Sequence, residues 1–140
     1  MLQFTKQVDY GLQLIVALVK AKKNEPLSLR KFSKDSNISF LFLQRIARAL
    51  RQAGIVEADK GAYGGYFLKL NPSKIKIKDI IEAVDGKYGV SNCFKDYICP
   101  KKNTCEARKI FCIINNDFIK YLSEHTLHDF TKNYETASKV

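Results

Sequence analysis

The sequence is poor in the features that mark exported, membrane-spanning or catalytic proteins. No secretory signal is visible near the N-terminus, where Lys6 and Asp9 interrupt the apolar residues. The longest apolar run nearby, residues 14–19, is too short to cross a bilayer, so we expect a soluble cytoplasmic protein without membrane contact. No serine, cysteine or carboxylate constellation suggests catalysis, and we predict that the protein is not an enzyme.

Acidic residues are also scarce, and the resulting positive charge is uneven. The whole chain has a net charge of +10, from 24 Lys and Arg against 14 Asp and Glu. Residues 1–75 hold 13 of these basic residues against 5 acidic ones, whereas residues 76–140 hold 11 against 9. The first half is therefore the expected polyanion-binding half. With 140 residues, 46% of them hydrophobic, the chain can bury one sizeable core.

Three helices are predicted in the first half, and the third carries Gln44, Arg45, Arg48 and Arg51 on one side. It runs from Ser39 to about Ala53 and stops at Gly54, a natural C-terminal cap. Two short helices followed by a cationic one form the helix-turn-helix pattern, whose last helix enters the major groove of DNA. On these helices alone, an ordinary three-helix core with a solvated basic face is an equal alternative. The apolar residues at helical spacing are Leu12, Ile15, Val16 and Val19, then Leu29 and Phe32, then Phe40, Leu43, Ile46, Ala47 and Leu50.

A predicted β-hairpin decides between these two alternatives. Residues 55–58 are typical of a strand, residues 60–65 of a glycine-rich turn, and residues 66–70 of the return strand. The turn lacks the Lys-Ser/Thr pair of a nucleotide-binding loop and no helix follows it directly, so nucleotide binding is not expected. The pattern predicts a winged helix-turn-helix, in which Lys60 and the bare glycine backbone approach phosphates or the minor groove.

Three cysteines at five-residue intervals, Cys93, Cys99 and Cys105, follow in a short basic segment. Structural zinc sites usually draw paired ligands from spacings of two to four residues, so this spacing is unusual for zinc. Soft thiolates near cationic side chains suit iron-sulfur clusters as well as zinc, and the spacing alone does not name the metal. Incidental or disulfide-forming cysteines are the weaker alternative, because no export signal accompanies them.

Further motifs lie at residues 2–12, 38–39, 80–86 and 126–130, in addition to residues 60–61 and 64–66 of the wing and the three cysteines. Taken in this order along the chain, the motifs resemble the IscR/NsrR family of iron-sulfur winged-helix transcription regulators. The resemblance implies a mainly α fold with a small β wing, and a homodimer formed through a long helix at about residues 104–127. It also implies that each subunit presents one winged helix-turn-helix to a palindromic operator in double-stranded DNA. The resemblance covers roughly residues 2–128.

The resemblance further implies a division of the chain and a set of DNA contacts. We expect a DNA-binding domain at residues 1–75, a connecting helix and cluster loop at 76–103, a dimerisation helix at 104–128 and a tail at 129–140. An apolar surface on the long helix is compatible with dimerisation; its members are Ile110, Phe111, Ile113, Ile114, Phe118 and Leu122. The expected DNA-contacting residues are Ser39, Gln44, Arg45 and Arg48 in the third helix and Lys60, Gly61, Tyr63 and Gly64 in the wing.

An iron-sulfur cluster of the 4Fe-4S type, with 2Fe-2S as the alternative, is the cofactor that the resemblance implies, with the three cysteines as ligands. In the IscR branch a histidine three residues after the third cysteine is the fourth ligand, but Arg108 stands here and has no lone pair to donate. In the NsrR branch the fourth ligand is an aspartate on the first helix of the partner subunit, a position that Asp9 matches. A surface carboxylate or an intersubunit salt bridge is the alternative for Asp9. Cys112 is a rival ligand, which we expect instead to be a small core residue of the dimer helix.

The sequence therefore predicts a dimeric repressor that senses nitric oxide or redox and iron state through the cluster. The nitric-oxide-responsive branch is the most similar one, because of Asp9. A regulator of iron-sulfur cluster biogenesis of the IscR type is the nearest alternative. An iron-sulfur or redox protein without sequence-specific DNA binding is an alternative of another class.

Overall fold

The computed structural model describes residues 3–22, 25–61, 64–95 and 98–132, and it confirms a mainly α fold with a small β wing. Six helices and one antiparallel hairpin make up these residues, apart from short 3₁₀ turns. In chain order the elements are α1 (Lys6–Lys20), α2 (Leu29–Ser36), α3 (Phe40–Gln52), β1 (Val56–Asp59), β2 (Gly65–Leu68), α4 (Ile77–Asp85), α5 (Glu106–Glu124) and α6 (Leu127–Lys132).

Helix α1 buries a different side from the one that its apolar spacing indicated. Of the four residues at helical spacing, Ile15 is fully buried and the other three are only half-buried. Gly11 explains the difference, because a Cβ atom there would lie 3.2 Å from Val84 Cγ1, so the missing side chain lets α1 approach α4 closely. The core side of α1 consists of Val8, Gly11, Leu14, Ile15 and Leu18.

Helices α2 and α3 form the predicted helix-turn-helix. Ser28 caps α2 by accepting a hydrogen bond from the Lys31 N–H, and Asn37 adopts a left-handed conformation (φ 56°) that turns the chain into α3. Gly54 ends α3 as predicted, with φ 74°. The Ile55 N–H donates to the Leu50 carbonyl (3.0 Å), which closes the helix end in a Schellman motif. The buried side of α3 is Leu43, Ile46, Ala47 and Leu50, as the spacing indicated, while Phe40 is half-buried.

The wing is the hairpin of β1 and β2, which pair antiparallel with Asp59 opposite Gly65. Its base is fastened to the segment before α2, because Leu27 and Tyr66 exchange two backbone hydrogen bonds of 2.8 and 2.9 Å. This contact requires glycine at position 65, since a Cβ there would lie 2.6 Å from the Leu27 carbonyl oxygen. The orientation of the wing is therefore set by helix-turn-helix backbone rather than by the hairpin alone.

Helix α5 is shorter than the helix predicted for residues 104–128, and a second helix follows it. Thr126 and Asp129 cap α6 reciprocally: the Asp129 carboxylate accepts from the Thr126 N–H (2.8 Å), and Thr126 Oγ1 accepts from the Asp129 N–H (3.4 Å). The next backbone N–H, that of Leu127, donates to the Ile75 carbonyl (2.7 Å). Helix α5 therefore ends at Glu124, because the backbone N–H groups of Thr126 and Leu127 have partners outside a continuous helix.

One hydrophobic core unites the helices and the base of the wing. Ile80 and Ile81 of α4 are fully buried in it, and Leu122 and Leu127 attach α5 and α6 to its edge. No helix within the described ranges is both long and apolar enough to cross a membrane.

Candidate DNA-binding surface and cysteine site

The outer side of α3 presents the polar residues predicted to read DNA. Gln44, Arg45 and Arg48 are all exposed, and their spacing places them on one face of the helix. Ser39 precedes the first turn, is exposed, and makes no capping hydrogen bond. Amide and guanidinium donors are the groups that recognise adenine and guanine edges in the major groove. The face has suitable chemistry for base reading, and its contact with DNA stays a prediction.

Arg51, one turn beyond Arg48, is engaged with the wing instead. Its Nε lies 3.0 Å from Glu57 Oε1 on β1, and Lys69 Nζ lies 3.8 Å from the other carboxylate oxygen. The hydrogen bond that Glu57 accepts from the Ala58 N–H, helped by the two nearby cations, holds the pKa of this carboxyl below its ordinary value. The ion pair ties the end of α3 to the wing, so that the two predicted DNA-contacting elements are linked.

The wing tip carries the other predicted contacts. Lys60, Gly61 and Gly64 are exposed, whereas Tyr63 lies outside the described residues. The Gly61 N–H donates to Asp59 Oδ1 (3.0 Å), and a Cβ at Gly64 would lie 3.0 Å from the Asp59 carbonyl oxygen. Gly61 and Gly64 thus both lie close to Asp59, and Lys60 is exposed beside Gly61. Such a tip is suited to phosphates or a narrow groove.

Leu41 belongs to the same exposed face of α3, although it is missing from the predicted set. Its side chain is 70% exposed, the second highest value among the large hydrophobic residues that the structure describes as exposed. It precedes Gln44 by three residues and Arg45 by four, so the helical spacing alone could have placed it beside them. An apolar side chain accordingly lies within a polar, cationic surface.

The three predicted cluster cysteines all lie on the connection between α4 and α5. Cys93 is in a 3₁₀ turn, Cys99 is in the following loop, and Cys105 immediately precedes α5. All three thiols are free and half-buried. Within the described parts of one chain, however, no three Cys, His, Asp or Glu side chains lie close enough together to hold a metal ion.

The donor set nevertheless fits an iron-sulfur cluster in its chemistry, because three accessible thiols on one segment are the ligands such clusters use. Arg108 adds a second observation at the base of this segment. Its guanidinium lies 5.7 Å from the centre of the Phe94 ring, next to Cys93, and its buried Nε has no hydrogen-bond partner. A buried N–H donor without an acceptor is costly, and an anionic sulfur is the kind of group that would satisfy it.

Asp9, the predicted fourth ligand, is exposed on α1 and points away from the core. Its Oδ1 accepts a hydrogen bond from Gln13 Nε2 (3.0 Å). It borders a shallow groove of about 460 Å³ whose apolar wall includes Leu12 and Val16, two of the half-buried residues of α1. In one chain Asp9 is thus a surface carboxylate beside an apolar groove, and its role as a ligand stays a prediction.

Helix α5 leaves most of its apolar surface exposed. Ile110 and Ile113 are 62% and 64% exposed, and Phe111 and Ile114 are exposed as well. Phe118 and Leu122, by contrast, pack against the core of the same chain. Cys112 lies among the exposed residues and is half-buried. Four of the six residues predicted for dimerisation thus form a bare apolar face on the first three turns of α5, and dimerisation through it stays a prediction.

Comparisons with known proteins agree with this architecture. Residues 4–133 match the Rrf2 family, described as iron-dependent transcriptional regulators. The regulator CymR of Bacillus subtilis is 38% identical over 77 residues, which are 55% of this chain and 56% of that protein. Its solved structure, described as that of the global cysteine regulator, superimposes with a TM-score of 0.77 at 28% identity, over 94% of this chain and 98% of that one.

Two further relatives carry the names of the branches compared above. NsrR of Bacillus subtilis is 25% identical over 146 residues, covering 99% of this chain and 97% of that protein. The solved structure of IscR from T. potens superimposes with a TM-score of 0.76 at 27% identity, over 97% of this chain and 90% of that one. These relatives are regulators rather than enzymes, in agreement with the expectation from the sequence. Because the family match spans nearly the whole chain, the protein belongs to the Rrf2 family of DNA-binding transcriptional regulators.

Proposed function

We propose that this regulator is a homodimeric, cytoplasmic repressor of a palindromic operator that senses nitric oxide or redox and iron state through a cysteine-ligated iron-sulfur cluster. The observation that carries the proposal is the position of the three thiols. Cys93, Cys99 and Cys105 lie on the one connection that joins α4, a core helix, to α5, whose apolar face is bare. A ligand held there can change how the DNA-binding part is oriented relative to the dimer contact.

For this argument we divide the described residues into two parts. The reading head is residues 3–85, in which α4 packs with α1 and α3. The sensor arm is residues 86–132, with the cysteine loop, α5 and α6. These two parts are defined by packing. The division at residues 75, 103 and 128 that the resemblance implies stays a prediction.

The bare face of α5 supports a dimer of this chain. Moving exposed side chains such as Ile110 and Ile113 out of water lowers the free energy of the system. A second α5 offers an equally apolar surface for them to pack against. In the proposed dimer, the groove beside Asp9 lies against the partner's arm. Asp9 then approaches the cysteine loop of the partner subunit as its fourth ligand.

The residues of this chain would perform separate tasks around a bound cluster. The three cysteines would hold it as thiolates, Asp9 of the partner subunit would supply an oxygen donor, and Arg108 would donate its unpaired N–H towards sulfur. A bound cluster supplies a centre that reacts with diatomic gases or changes oxidation state. A hard carboxylate oxygen suits a sulfur-rich cluster less well than a thiolate does. The iron held by Asp9 would therefore be the most exchangeable position.

A cysteine-responsive regulator is the second candidate. It is favoured by the 38% identity of 77 residues of this chain to CymR, whose structure is described as that of a cysteine regulator. An IscR-type regulator of cluster biogenesis is a third reading, but Arg108 replaces the histidine that this branch would use. A protein that does not read DNA sequence is disfavoured by the family to which the chain belongs.

Anaerobic purification tests the proposal directly. We expect a coloured protein whose visible spectrum changes on addition of nitric oxide, and whose retardation of a selected DNA duplex weakens in parallel. A colourless protein that binds DNA and responds to free cysteine would favour the second candidate. DNA binding should also weaken as salt rises, because phosphate contacts release counterions.

Asp9 is tested by comparing Asp9→Ala with Gln13→Ala, which removes only its hydrogen-bond donor. Asp9→Ala should give a bound cluster that is more oxygen-labile, with altered absorption, whereas Gln13→Ala should resemble the unmodified chain. Asp9→Cys should slow the reaction with nitric oxide, because a soft thiolate replaces the oxygen donor. Unchanged cluster content and reactivity in Asp9→Ala would remove Asp9 from the ligand set.

A further inference from the structure

The first turn of α3 contains four consecutive large apolar residues, of which only one is left in solvent. Leu43 is completely buried, whereas Leu41 is 70% exposed. Phe40 and Phe42 are half-buried, and each ring contacts another side chain. Those contacts are the Arg30 guanidinium 4.5 Å from the centre of the Phe40 ring, and the Tyr10 ring edge-on to Phe42 with centroids 5.5 Å apart.

An isolated exposed leucine is ordinary on a protein surface, and exposure alone gives Leu41 no role. Its surroundings distinguish it. Leu41 precedes Gln44, Arg45 and Arg48 by three, four and seven residues, so all four side chains lie on one face of α3. The charge of this face suits DNA rather than an apolar protein surface, and Leu41 is the apolar member at its N-terminal end, the end that enters the groove in helix-turn-helix proteins.

We propose that Leu41 is a specificity-determining residue that contacts the C5-methyl group of a thymine in the operator. This inference rests on the proposed DNA-reading role of α3 and adds one specific base contact to that role. In the major groove, the thymine methyl is the apolar group among the hydrogen-bonding edges of the four base pairs. A leucine side chain beside guanidinium and amide donors can exclude water from that methyl while its neighbours bond the adjacent base.

The position of the thymine follows from the helical spacing. Leu41 is one turn from Gln44 and Arg45, so its thymine should lie next to the base pair whose identity Arg45 determines. Binding to random DNA should not depend on Leu41, because its side chain carries no charge for phosphates. Leu41 therefore contributes to preference among sequences and not to general affinity.

Replacement of thymine by uracil tests this inference, because it deletes only the methyl group. The full chain, purified anaerobically, is first used to select a preferred duplex from a pool with a randomised centre. Each thymine of that duplex is then replaced singly by uracil, and the dissociation constants are measured by gel retardation at fixed salt. We expect a loss of about fourfold at one thymine per half-site, as for burial of one methyl-sized group.

Leu41→Ala should bind the thymine and uracil duplexes equally well, and its affinity for random duplex should match that of the unmodified chain. Leu70→Ala is the matched control, since it removes another exposed leucine, 41% exposed and outside α3. It should keep the fourfold difference. Because Leu41 is exposed, Leu41→Ala is expected to fold normally, and circular dichroism checks this. Leu41→Met, which keeps an apolar side chain of similar size, should retain most of the discrimination.

Two results would overturn the role of Leu41 while leaving the proposed function intact. One is a selected duplex whose binding is indifferent to every thymine-to-uracil change. The other is a methyl dependence that Leu41→Ala retains in full, which would assign the methyl to another side chain. If selection enriches no sequence at all, sequence-specific DNA binding itself fails, and the inference falls with it.

Discussion

The reading head and the sensor arm of this regulator bury their apolar residues very differently. All but three of the buried apolar side chains that the structure describes lie in the head, the exceptions being Tyr88, Leu122 and Leu127. The arm instead exposes Ile110 and Ile113 and carries three thiols on an irregular loop. The head therefore holds most of the single core, whereas the arm adds a few side chains to its edge and leaves the first turns of α5 bare. The proposed sensing site thus lies in the part of the chain that leaves most of its large apolar side chains exposed.

The largest effect is expected from the cysteines of the arm. Replacing Cys93, Cys99 or Cys105 by alanine should each abolish or strongly reduce the visible chromophore, because two thiolates hold a cluster poorly. Cys112→Ala is the matched control and should retain colour. The head should keep its circular dichroism and melting behaviour in all four variants. Loss of colour in Cys112→Ala equal to the others would place Cys112 in the ligand set instead of Asp9.

A comparison of two isoleucines tests the difference in packing itself. Ile80 of the head is completely buried, and Ile80→Ala should lower the free energy of unfolding by about 2–5 kcal/mol. Ile113 of the arm is 64% exposed, and Ile113→Ala should change the unfolding of the monomer by less than about 0.5 kcal/mol. Urea titration at several protein concentrations separates the two, because Ile113→Ala should weaken dimerisation. Equal destabilisation at high dilution would contradict the division.

The DNA contacts of the head should separate into base reading and phosphate binding. Arg45→Ala should cost about 1–3 kcal/mol on the selected duplex and relax preference at one base pair. Lys60→Ala should weaken binding to all duplexes alike and reduce the slope of log affinity against log salt by about one. Neither variant should change the visible spectrum. If both lose specific and random DNA binding equally, Arg45 does not read a base.

The smallest effect is expected from two surface carboxylates, one in each part. Hydrogen bonds from the backbone N–H groups of Ala58 and Thr126 are the main cause of the lowered pKa of Glu57 and of Asp129 respectively. A carboxyl whose pKa is lower in the folded state stabilises the protein above its ordinary pKa, and this stabilisation is lost as pH falls through the folded value. Glu57→Gln and Asp129→Asn should therefore be less stable than the parent near neutral pH, and the difference should vanish in acid.

The two carboxylates also stabilise different elements: Glu57 links the wing to α3, and Asp129 caps α6. The two variants should therefore differ in DNA binding. Loss of the Glu57 ion pair with Arg51 should loosen the wing and weaken DNA binding. Loss of the Asp129 cap should affect only α6. Urea midpoints and DNA affinities measured across pH check both statements. A DNA effect of Asp129→Asn as large as that of Glu57→Gln would show that the parts are coupled more closely than their packing indicates.

Much of the head was predictable because its signals are local in the sequence. Ser28 and Gly54 mark helix ends through caps that their own neighbours satisfy, and the apolar spacing of α3 matches its buried side. The side of α1 that enters the core was not predictable in this way. Apolar residues lie on both sides of α1, and Gly11 carries no hydrophobic signal although it allows the close contact with Val84.

By itself the sequence determined the helix-turn-helix, the wing, the cationic face of α3 and the five-residue spacing of the thiols. These follow from turn chemistry, helical periodicity and side-chain charge, which act over a few residues. Only the tertiary structure decided that Arg51 bonds the wing rather than remaining on the reading face, which side of α1 enters the core, and that α5 ends before Thr126. The first two depend on how separate elements pack against each other, and the third depends on the Ile75 carbonyl as well as on the local Thr126–Asp129 cap, so local patterns contain only part of this information.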